Sequence, residues 1–213
     1  MEKWSYMKFP YLTDLGRDAG SVRVGPLARL NVTRSLSTPP IAAEALDKFH
    51  AYTRGRANNM TLHTNWARTI EIIHAAEVVR DLLNDPDLQK DQLVVAPGAD
   101  AWVGGEGGSV SWKHLGGTLL HHYRADREGS VTFANLIVAT TQNNQVINLT
   151  VRSVAEDYLD GQPEITEGMM NAIEVGIRAY DPCLSCATHA LGQMPLTVTV
   201  VDAKGHVLDE RQR

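Results

Sequence analysis

Residues 181–189 read Asp-Pro-Cys-Leu-Ser-Cys-Ala-Thr-His, and they contain both cysteines of the 213-residue chain. Two thiols three positions apart can converge on one metal ion, and thiolate sulfur suits nickel, zinc, copper(I) or iron. The motif follows a segment with helical periodicity and precedes a β-rich tail. The sequence therefore places the candidate chemistry of this chain at Cys183, Cys186 and His189.

Three kinds of site are compatible with this motif. A structural zinc site needs four ligands, and only Cys183, Cys186 and His189 are local. A dithiol redox site usually follows a strand and precedes a helix, whereas this motif follows a predicted helix. The third kind is half of a catalytic metal site whose other ligands lie elsewhere in the fold or on another chain. The residues alone leave all three open.

The composition argues against several classes of protein. A hydrophobic content of 43% and a charged content of 21% indicate a globular chain, and the net charge of -5 argues against broad attraction to nucleic acid or an anionic membrane. No apolar run approaches the ~20 residues that cross a bilayer, and the N-terminus lacks the apolar core of a signal peptide. Two cysteines do not make a disulfide scaffold. The expected location is the cytoplasm.

The predicted fold class is mainly α with a small antiparallel β element, an α+β chain. The prolines at 39 and 40 suit a helix start and predict a helix over residues 41 to about 52. Helical spacing of apolar residues predicts helices over residues about 64–83 and 165 to about 180. Residues 118–124 and 131–140 are predicted to pair as a β-hairpin.

Three further segments have weaker patterns. Residues 22–27 are cut by glycine and proline and are expected to be extended or looped, and glycine-rich residues 97–117 are expected to form a flexible loop because they lack the spacing of a phosphate-binding motif. The tail is expected to form a separate hairpin, with strands at 196–201 and 207–208.

Residues 178–189 resemble the C-terminal signature of the large subunit of [NiFe] hydrogenases, in particular the cytoplasmic branch that works with nicotinamide, coenzyme F420 or heterodisulfide partners. Four other stretches resemble this family in the same order, and they lie at residues 5–11, 23–32, 117–123 and 136–144. The resemblance covers nearly the whole chain. It implies that the chain has the fold of the C-terminal portion of such a large subunit.

The resemblance implies a nickel–iron centre. Nickel in this family is held by four cysteine thiolates, two of which bridge to an iron that carries cyanide and carbon monoxide. Cys183 would be a terminal nickel ligand and Cys186 a nickel–iron bridge. The implied reaction is reversible heterolytic cleavage of H2, with the metals taking the hydride and a base taking the proton. Cys183 is a candidate for that base.

The resemblance also implies roles around the two metals. His189 would bind a buried magnesium-type cation, and Leu136 would give that cation its backbone carbonyl. Thr140 would donate a hydrogen bond to a cyanide on iron, with Ala139 beside it.

Residues 1–189 correspond to the C-terminal half of the family's large-subunit domain, and residues 190–213 to an extension. In family precursors, an endopeptidase removes this extension after nickel-insertion proteins have loaded the metal. The 24 residues after His189 therefore indicate an unprocessed precursor. The alternative is a stable C-terminal hairpin.

The first departure from the family is the missing N-terminal Cys-x-x-Cys, which supplies the other two nickel ligands. A separate chain carries that half, or the sequence is a truncated gene or fragment. An iron–sulfur small subunit is the expected electron partner, because this chain has too few cysteines for its own cluster. Alternatives are a non-catalytic hydrogenase-like remnant, an assembly or metal-binding module, and a plain zinc module.

The second departure lies at residues 113–116, where the family has Glu-Ala-Pro-Arg and this chain has Lys-His-Leu-Gly. Gly116 stands where the family's arginine lies over the metals. A DNA string that encodes Val-Glu-Ala-Pro-Arg gives Trp-Lys-His-Leu-Gly when read one base later. We hypothesise a local compensated frameshift between about Gly107 and Gly116, real or a sequencing error. Resequencing that locus tests the error version.

Overall fold

The computed structural model describes residues 9–36, 40–90, 105–114, 117–126, 128–183 and 196–213, with the backbone alone for residues 105–114. The first of these ranges starts with a 3-10 turn at Thr13–Leu15 and a short helix α1 at Gly16–Ala19. Tyr11 and Ser21 flank them in an isolated antiparallel bridge.

Residues 22–27, predicted to be extended or looped, contain the start of a helix instead. Helix α2 spans Pro26–Val32, with Gly25 as its N-cap at a φ of 114°. Proline suits the first turn because its missing N–H would have no partner there, and glycine adopts a left-handed φ without strain. The prediction holds for residues 22–25 and is wrong for Pro26 and Leu27, because glycine and proline, which interrupt regular structure in most contexts, together begin a helix here.

Two predicted helices follow and pack against α2. Helix α3 spans Ile41–Tyr52 and α4 spans His63–Leu83, which confirms both predictions. Apolar side chains from all three helices form one core, which contains Leu27, Leu30, Leu46, Phe49, Ala67 and Ile70.

Only part of the set of apolar residues at helical spacing along α4 is buried. Ala67 and Ile70 lie in the core, whereas Val79 is 54% exposed and Leu83 is 73% exposed. The periodicity is right for a helix, but burial depends on what packs against each turn. The buried positions of α4 end at Glu77, and the last turn of the helix is exposed.

Glu77 is the buried carboxylate of α4, only 5% exposed. Its Oε1 accepts the Ile41 N–H at 3.1 Å, and its Oε2 accepts the Ala42 N–H at 3.2 Å. These are amides of the first turn of α3, which have no partner within their own helix. The negative charge also lies at the positive end of the α3 dipole. Glu77 therefore joins α3 to α4.

Glu77→Gln is expected to lower the free energy of unfolding by about 1–3 kcal/mol, because the amide group turns one of the two acceptors into a donor that faces a backbone N–H. Asp47→Asn, a carboxylate-to-amide change at an exposed position of α3, is the matched control and should change stability by less than about 0.5 kcal/mol. Urea unfolding followed by circular dichroism measures both. Equal losses would contradict the capping role.

A three-stranded antiparallel sheet follows, in the order β1-β2-β3. Its strands are β1 (Gly105–His114), β2 (Gly117–Ala125) and β3 (Val131–Ile137). The predicted hairpin is confirmed, since β2 and β3 pair from Leu120–Ile137 onwards. The flexible loop predicted for residues 97–117 is wrong over 105–114: that backbone pairs with β2, with an irregularity between Gly107 and Val110. Strand pairing uses backbone groups, so glycines can take part.

The predicted strand over residues 131–140 is too long, and the helix after it was not predicted. β3 ends at Ile137, and Ala139 begins α5, which spans Ala139–Tyr158. The run Val-Ala-Thr-Thr at 138–141 has strand-like composition, but Thr140 and its neighbours have polar partners that favour the helical turn.

Helix α6 spans Glu167–Arg178, inside the range predicted from residues 165–180. Thr166 is its N-cap, and its hydroxyl accepts the Met169 N–H at 3.3 Å. α6 packs against α5, with Gly176 close to Thr150 and Val154.

The tail forms the predicted hairpin as a separate two-stranded sheet, β4 (Thr197–Val201) with β5 (Val207–Gln212). Its turn is closed by Asp202, whose carboxylate accepts the His206 N–H at 2.9 Å. The predicted α+β fold class is confirmed. None of the helices in the described ranges combines the length and apolarity needed to cross a bilayer.

Candidate metal centre

The cysteine motif begins at the C-terminal end of α6. Ala179 and Tyr180 are buried, at 1% and 3% exposed. Asp181 then adopts a left-handed φ of 52°, which turns the chain away from the helix axis. Pro182 follows with a ring-restricted φ and leads to Cys183. A rigid turn therefore delivers the first cysteine.

Thr140 lies against this cysteine, although the two residues are 43 positions apart. The Cys183 N–H donates to Thr140 Oγ1 at 3.0 Å. Thr140 is in the first turn of α5 and is 3% exposed. A threonine hydroxyl that accepts one hydrogen bond keeps its own proton to donate. The structure therefore joins the N-terminus of α5 to the C-terminal side of α6 at this cysteine.

The same turn of α5 holds two other parts of the chain. Asn143, 1% exposed, accepts the Val24 N–H at 2.9 Å with Oδ1 and donates from Nδ2 to the Val24 carbonyl at 3.1 Å. Gln142 donates from Nε2 to the Thr118 carbonyl in β2. This first turn, residues 139–143, is called the α5 hub below.

Gly117, the first residue of β2, lies close to Val24 and to Ala139 of the α5 hub. A Cβ built on this glycine would lie 2.4 Å from Val24 Cγ2 and 3.2 Å from the Ala139 Cβ, and its φ is 151°. No side chain fits there without moving the loop that carries Val24. The glycine therefore sets the distance between the sheet and the hub.

Of the six site residues predicted from the resemblance, Thr140, Ala139 and Cys183 are brought together. Leu136 lies at the end of β3, three residues before the α5 hub, with its side chain 40% exposed. Cys186 and His189 lie outside the described residues, as does Gly116. Their predicted roles stay predictions.

The donor groups present fit a thiolate-bound metal. Cys183 supplies soft sulfur for nickel, and the buried Thr140 supplies a hydroxyl beside it. Cys183 is disulfide-bonded in the structure, so a metal would require reduction to the thiolate. The described residues contain no group of three His, Cys, Asp or Glu side chains placed to hold a metal ion. The described residues therefore supply one part of the ligand set of a metal ion.

The sequence patterns assign no role to Gln142, Asn143, Tyr180 or Arg23. Gln142 and Asn143 are buried in the hub. The sequence feature that could have indicated their role is a run of polar residues between two apolar segments. Residues 23–32 and 136–144 are both family-like in sequence, but their mutual contact is visible only in the fold.

The family model for nickel-dependent hydrogenases matches residues 1–189 of the chain. The chain is 74% identical over 213 residues to the NAD-reducing hydrogenase HoxS subunit beta of Cupriavidus necator, covering 100% of this chain and 43% of the relative. It is 39% identical over 212 residues to one of the subunits of the F420-non-reducing hydrogenase of Methanothermobacter marburgensis, covering 98% of this chain and 43% of the relative.

A solved structure of an NAD+-reducing [NiFe]-hydrogenase in the H2-reduced state is similar in fold. Its TM-score is 0.76 at 42% sequence identity, with 89% of this chain and 40% of the other chain covered. The chain thus spans less than half the length of these relatives. The match over residues 1–189 and the two relatives above 30% identity show that this chain belongs to the nickel-dependent hydrogenase family.

Proposed function

We propose that this chain supplies half of a nickel–iron centre for the reversible cleavage of H2. Cys183 and Cys186 would hold the metals as two thiolates of a four-thiolate set, Cys183 as a terminal ligand of nickel and Cys186 as a ligand shared with iron. When bound, the bimetallic group with its cyanide and carbon monoxide ligands supplies a site for heterolytic splitting of H2. The Cys183 Sγ holds the proton, because a thiolate is both a soft ligand and a base.

Thr140 orients this arrangement. Its oxygen accepts the Cys183 N–H, and its remaining proton is proposed to donate to a cyanide on iron, with Ala139 beside it. His189 and the Leu136 carbonyl are proposed to hold a magnesium ion, a hard cation that takes oxygen ligands readily.

The Thr140–Cys183 hydrogen bond is the observation that supports this proposal most directly. It joins two segments that are far apart in sequence, and the resemblance assigns both of them to the metal centre. A zinc module built only on the local Cys-x-x-Cys would not require a buried hydroxyl from another helix at its first cysteine.

The partners follow from the relatives. The 74% identical relative is part of an NAD-reducing hydrogenase, so we propose that electrons leave through an iron–sulfur small subunit towards a nicotinamide, in the cytoplasm. A chain that carries the other cysteine pair is a further proposed partner, since these 213 residues contain two cysteines. Nickel-insertion proteins and a maturation endopeptidase are the proposed assembly partners.

Metal analysis of the chain, purified with and without a coexpressed chain carrying the first half of the family sequence, tests the proposal. Nickel and iron near one each, present only with the partner and accompanied by H2 uptake, would support it. Zinc or no metal in both samples would contradict it and would favour the zinc module or the non-catalytic remnant.

We also propose that residues 190–213 are the extension removed after nickel insertion, and that residues 1–189 are the retained domain. The family model ends at residue 189, while the 74% identical relative aligns through all 213 residues. The tail hairpin is docked on the α5–α6 pair. Asp209 Oδ2 accepts the Ile165 N–H at 2.8 Å, and Arg213 Nη1 donates to Asn171 Oδ1 at 2.5 Å.

Asp209→Asn is expected to loosen this docking. A hydrogen bond from the backbone N–H of Ile165 is the main reason why the pKa of Asp209 lies below its ordinary value. The docked state therefore favours the carboxylate. The contribution of this carboxylate to docking should therefore be fully present above a pH of about 4 and lost as the pH falls through the lowered pKa. The variant should show faster hydrogen exchange in β4 and β5 at neutral pH, with α3 and α4 unchanged.

Glu210→Gln is the matched control for Asp209→Asn, because Glu210 is the next residue and its carboxylate bonds within the hairpin, to Thr199. It should leave exchange of the Ile165 amide as in the wild type. Unchanged protection of that amide in Asp209→Asn would contradict the docking contact.

A further inference from the structure

Tyr180, three residues before Cys183, is held by side chains from two other parts of the fold. Its hydroxyl accepts a hydrogen bond from Arg23 Nη2 at 2.9 Å and lies 2.7 Å from Thr150 Oγ1 in α5. The Arg23 guanidinium carbon is also 5.3 Å from the centre of the Tyr180 ring. Because the tyrosine is 3% exposed, these contacts are shielded from water and gain strength.

Both terminal nitrogens of the Arg23 guanidinium make hydrogen bonds. Its Nη1 donates to the Asn59 carbonyl at 3.0 Å, which leaves the guanidinium bridging the loop before α4 and the tyrosine. The following residue, Val24, is held by Asn143 of the α5 hub through two hydrogen bonds. The arginine therefore links the hub to Tyr180.

The chain between Tyr180 and Cys183 has little conformational freedom, so a displacement of Tyr180 also displaces Cys183. Asp181 has a left-handed φ of 52°, a conformation that non-glycine residues keep only when their surroundings determine it. Pro182 has a restricted φ. Cys183 is then tied to Thr140 through its N–H. A movement of Tyr180 cannot be absorbed inside this segment.

We propose that Arg23 is a positioning residue for Cys183 that acts through the Tyr180 hydroxyl and ring. The inference rests on the proposed function in taking Cys183 as a metal ligand, but the geometric link does not depend on the metal. Arginine is required because its planar fork donates to two acceptors while covering the ring, whereas a lysine ammonium is a point charge that satisfies one of these contacts at a time.

Three variants of the full chain test this: Arg23→Lys, Tyr180→Phe and the double variant. The first readout is amide exchange of Cys183 by NMR in the reduced, metal-free chain. The second is the affinity of the reduced chain for Co2+, followed by the thiolate-to-cobalt charge-transfer band. Both single variants should exchange faster at Cys183 and bind Co2+ roughly 10–100-fold more weakly, the range for outer partners of metal ligands.

The double variant separates positioning from general loosening. If Arg23 acts through Tyr180, the double variant is no worse than the more affected single variant; losses that multiply would overturn the proposal. Arg29→Lys is the matched control, because Arg29 makes a two-point ion pair with Glu71 at 2.6 Å in the α2–α4 region. An equal loss of Co2+ affinity in Arg29→Lys would also overturn it.

The two readouts keep the proposal and the proposed function distinguishable. If the wild-type chain shows no thiolate–cobalt band, the Cys183 amide alone decides whether Arg23 positions it, and the nickel content of the chain assembled with its partner decides the metal role of Cys183. Unchanged amide exchange in Arg23→Lys and Tyr180→Phe would overturn the positioning role, whatever the metal result.

Discussion

Cys183→Ser is expected to abolish nickel retention when the chain is assembled with a partner that carries the other cysteine pair. A serine hydroxyl is a hard, neutral oxygen ligand, whereas nickel in this centre is proposed to be bound by soft thiolate sulfur. The loss should exceed the roughly 10–100-fold that follows from removing an outer partner of a ligand. Nickel content after gel filtration, measured by mass spectrometry, gives the answer.

Ser185→Ala is the control within the same motif, since residue 185 lies between the two cysteines and has no predicted ligand role. It should retain nickel as the wild type does. The Thr140 contact uses the backbone N–H of residue 183, so Cys183→Ser should keep this contact and unfold at nearly the same temperature as the reduced wild type. Full nickel content in Cys183→Ser would remove Cys183 from the ligand set.

Asn143→Leu is expected to be the most destabilising single substitution in the described core. The leucine leaves both the N–H and the carbonyl of Val24 without the partners that Asn143 provides. Each polar group left unsatisfied costs about 1–3 kcal/mol, so the two groups together predict a loss of about 2–6 kcal/mol. That is a large share of the roughly 5–15 kcal/mol typical of a folded domain.

Two comparisons make the Asn143 prediction specific. Asn143→Asp keeps an acceptor for the Val24 N–H but loses the donor to the Val24 carbonyl, so its cost should be intermediate. Asn144→Ala removes the same side chain from the next, half-buried position and should cost less than about 1 kcal/mol. Urea unfolding of the three variants tests the order, and equal costs at 143 and 144 would contradict the hub.

The spacing of apolar residues and the positions of turn residues and prolines were enough to predict most of the helices and strands. Helices α3, α4 and α6 have apolar residues at helical spacing, and the β2–β3 and β4–β5 hairpins have turn residues between β-rich runs. Errors occurred where local preference conflicted with long-range pairing. The glycines of β1 have the local preference of loop residues, but β2 supplies hydrogen-bond partners for their backbone. Residues 138–141 have the composition of a strand, but the polar contacts of the α5 hub favour a helix there.

The sequence by itself indicated the family, the candidate metal ligands and the likeness to one half of a larger subunit, because the resemblance of residues 178–189 and of four other stretches is a property of the sequence. Only the tertiary structure decided that Thr140 contacts Cys183, that Asn143 holds Val24 and that Arg23 reaches Tyr180. These pairs are 43, 119 and 157 positions apart. Contacts across such separations arise from how helices and sheet pack together, and no local pattern records them.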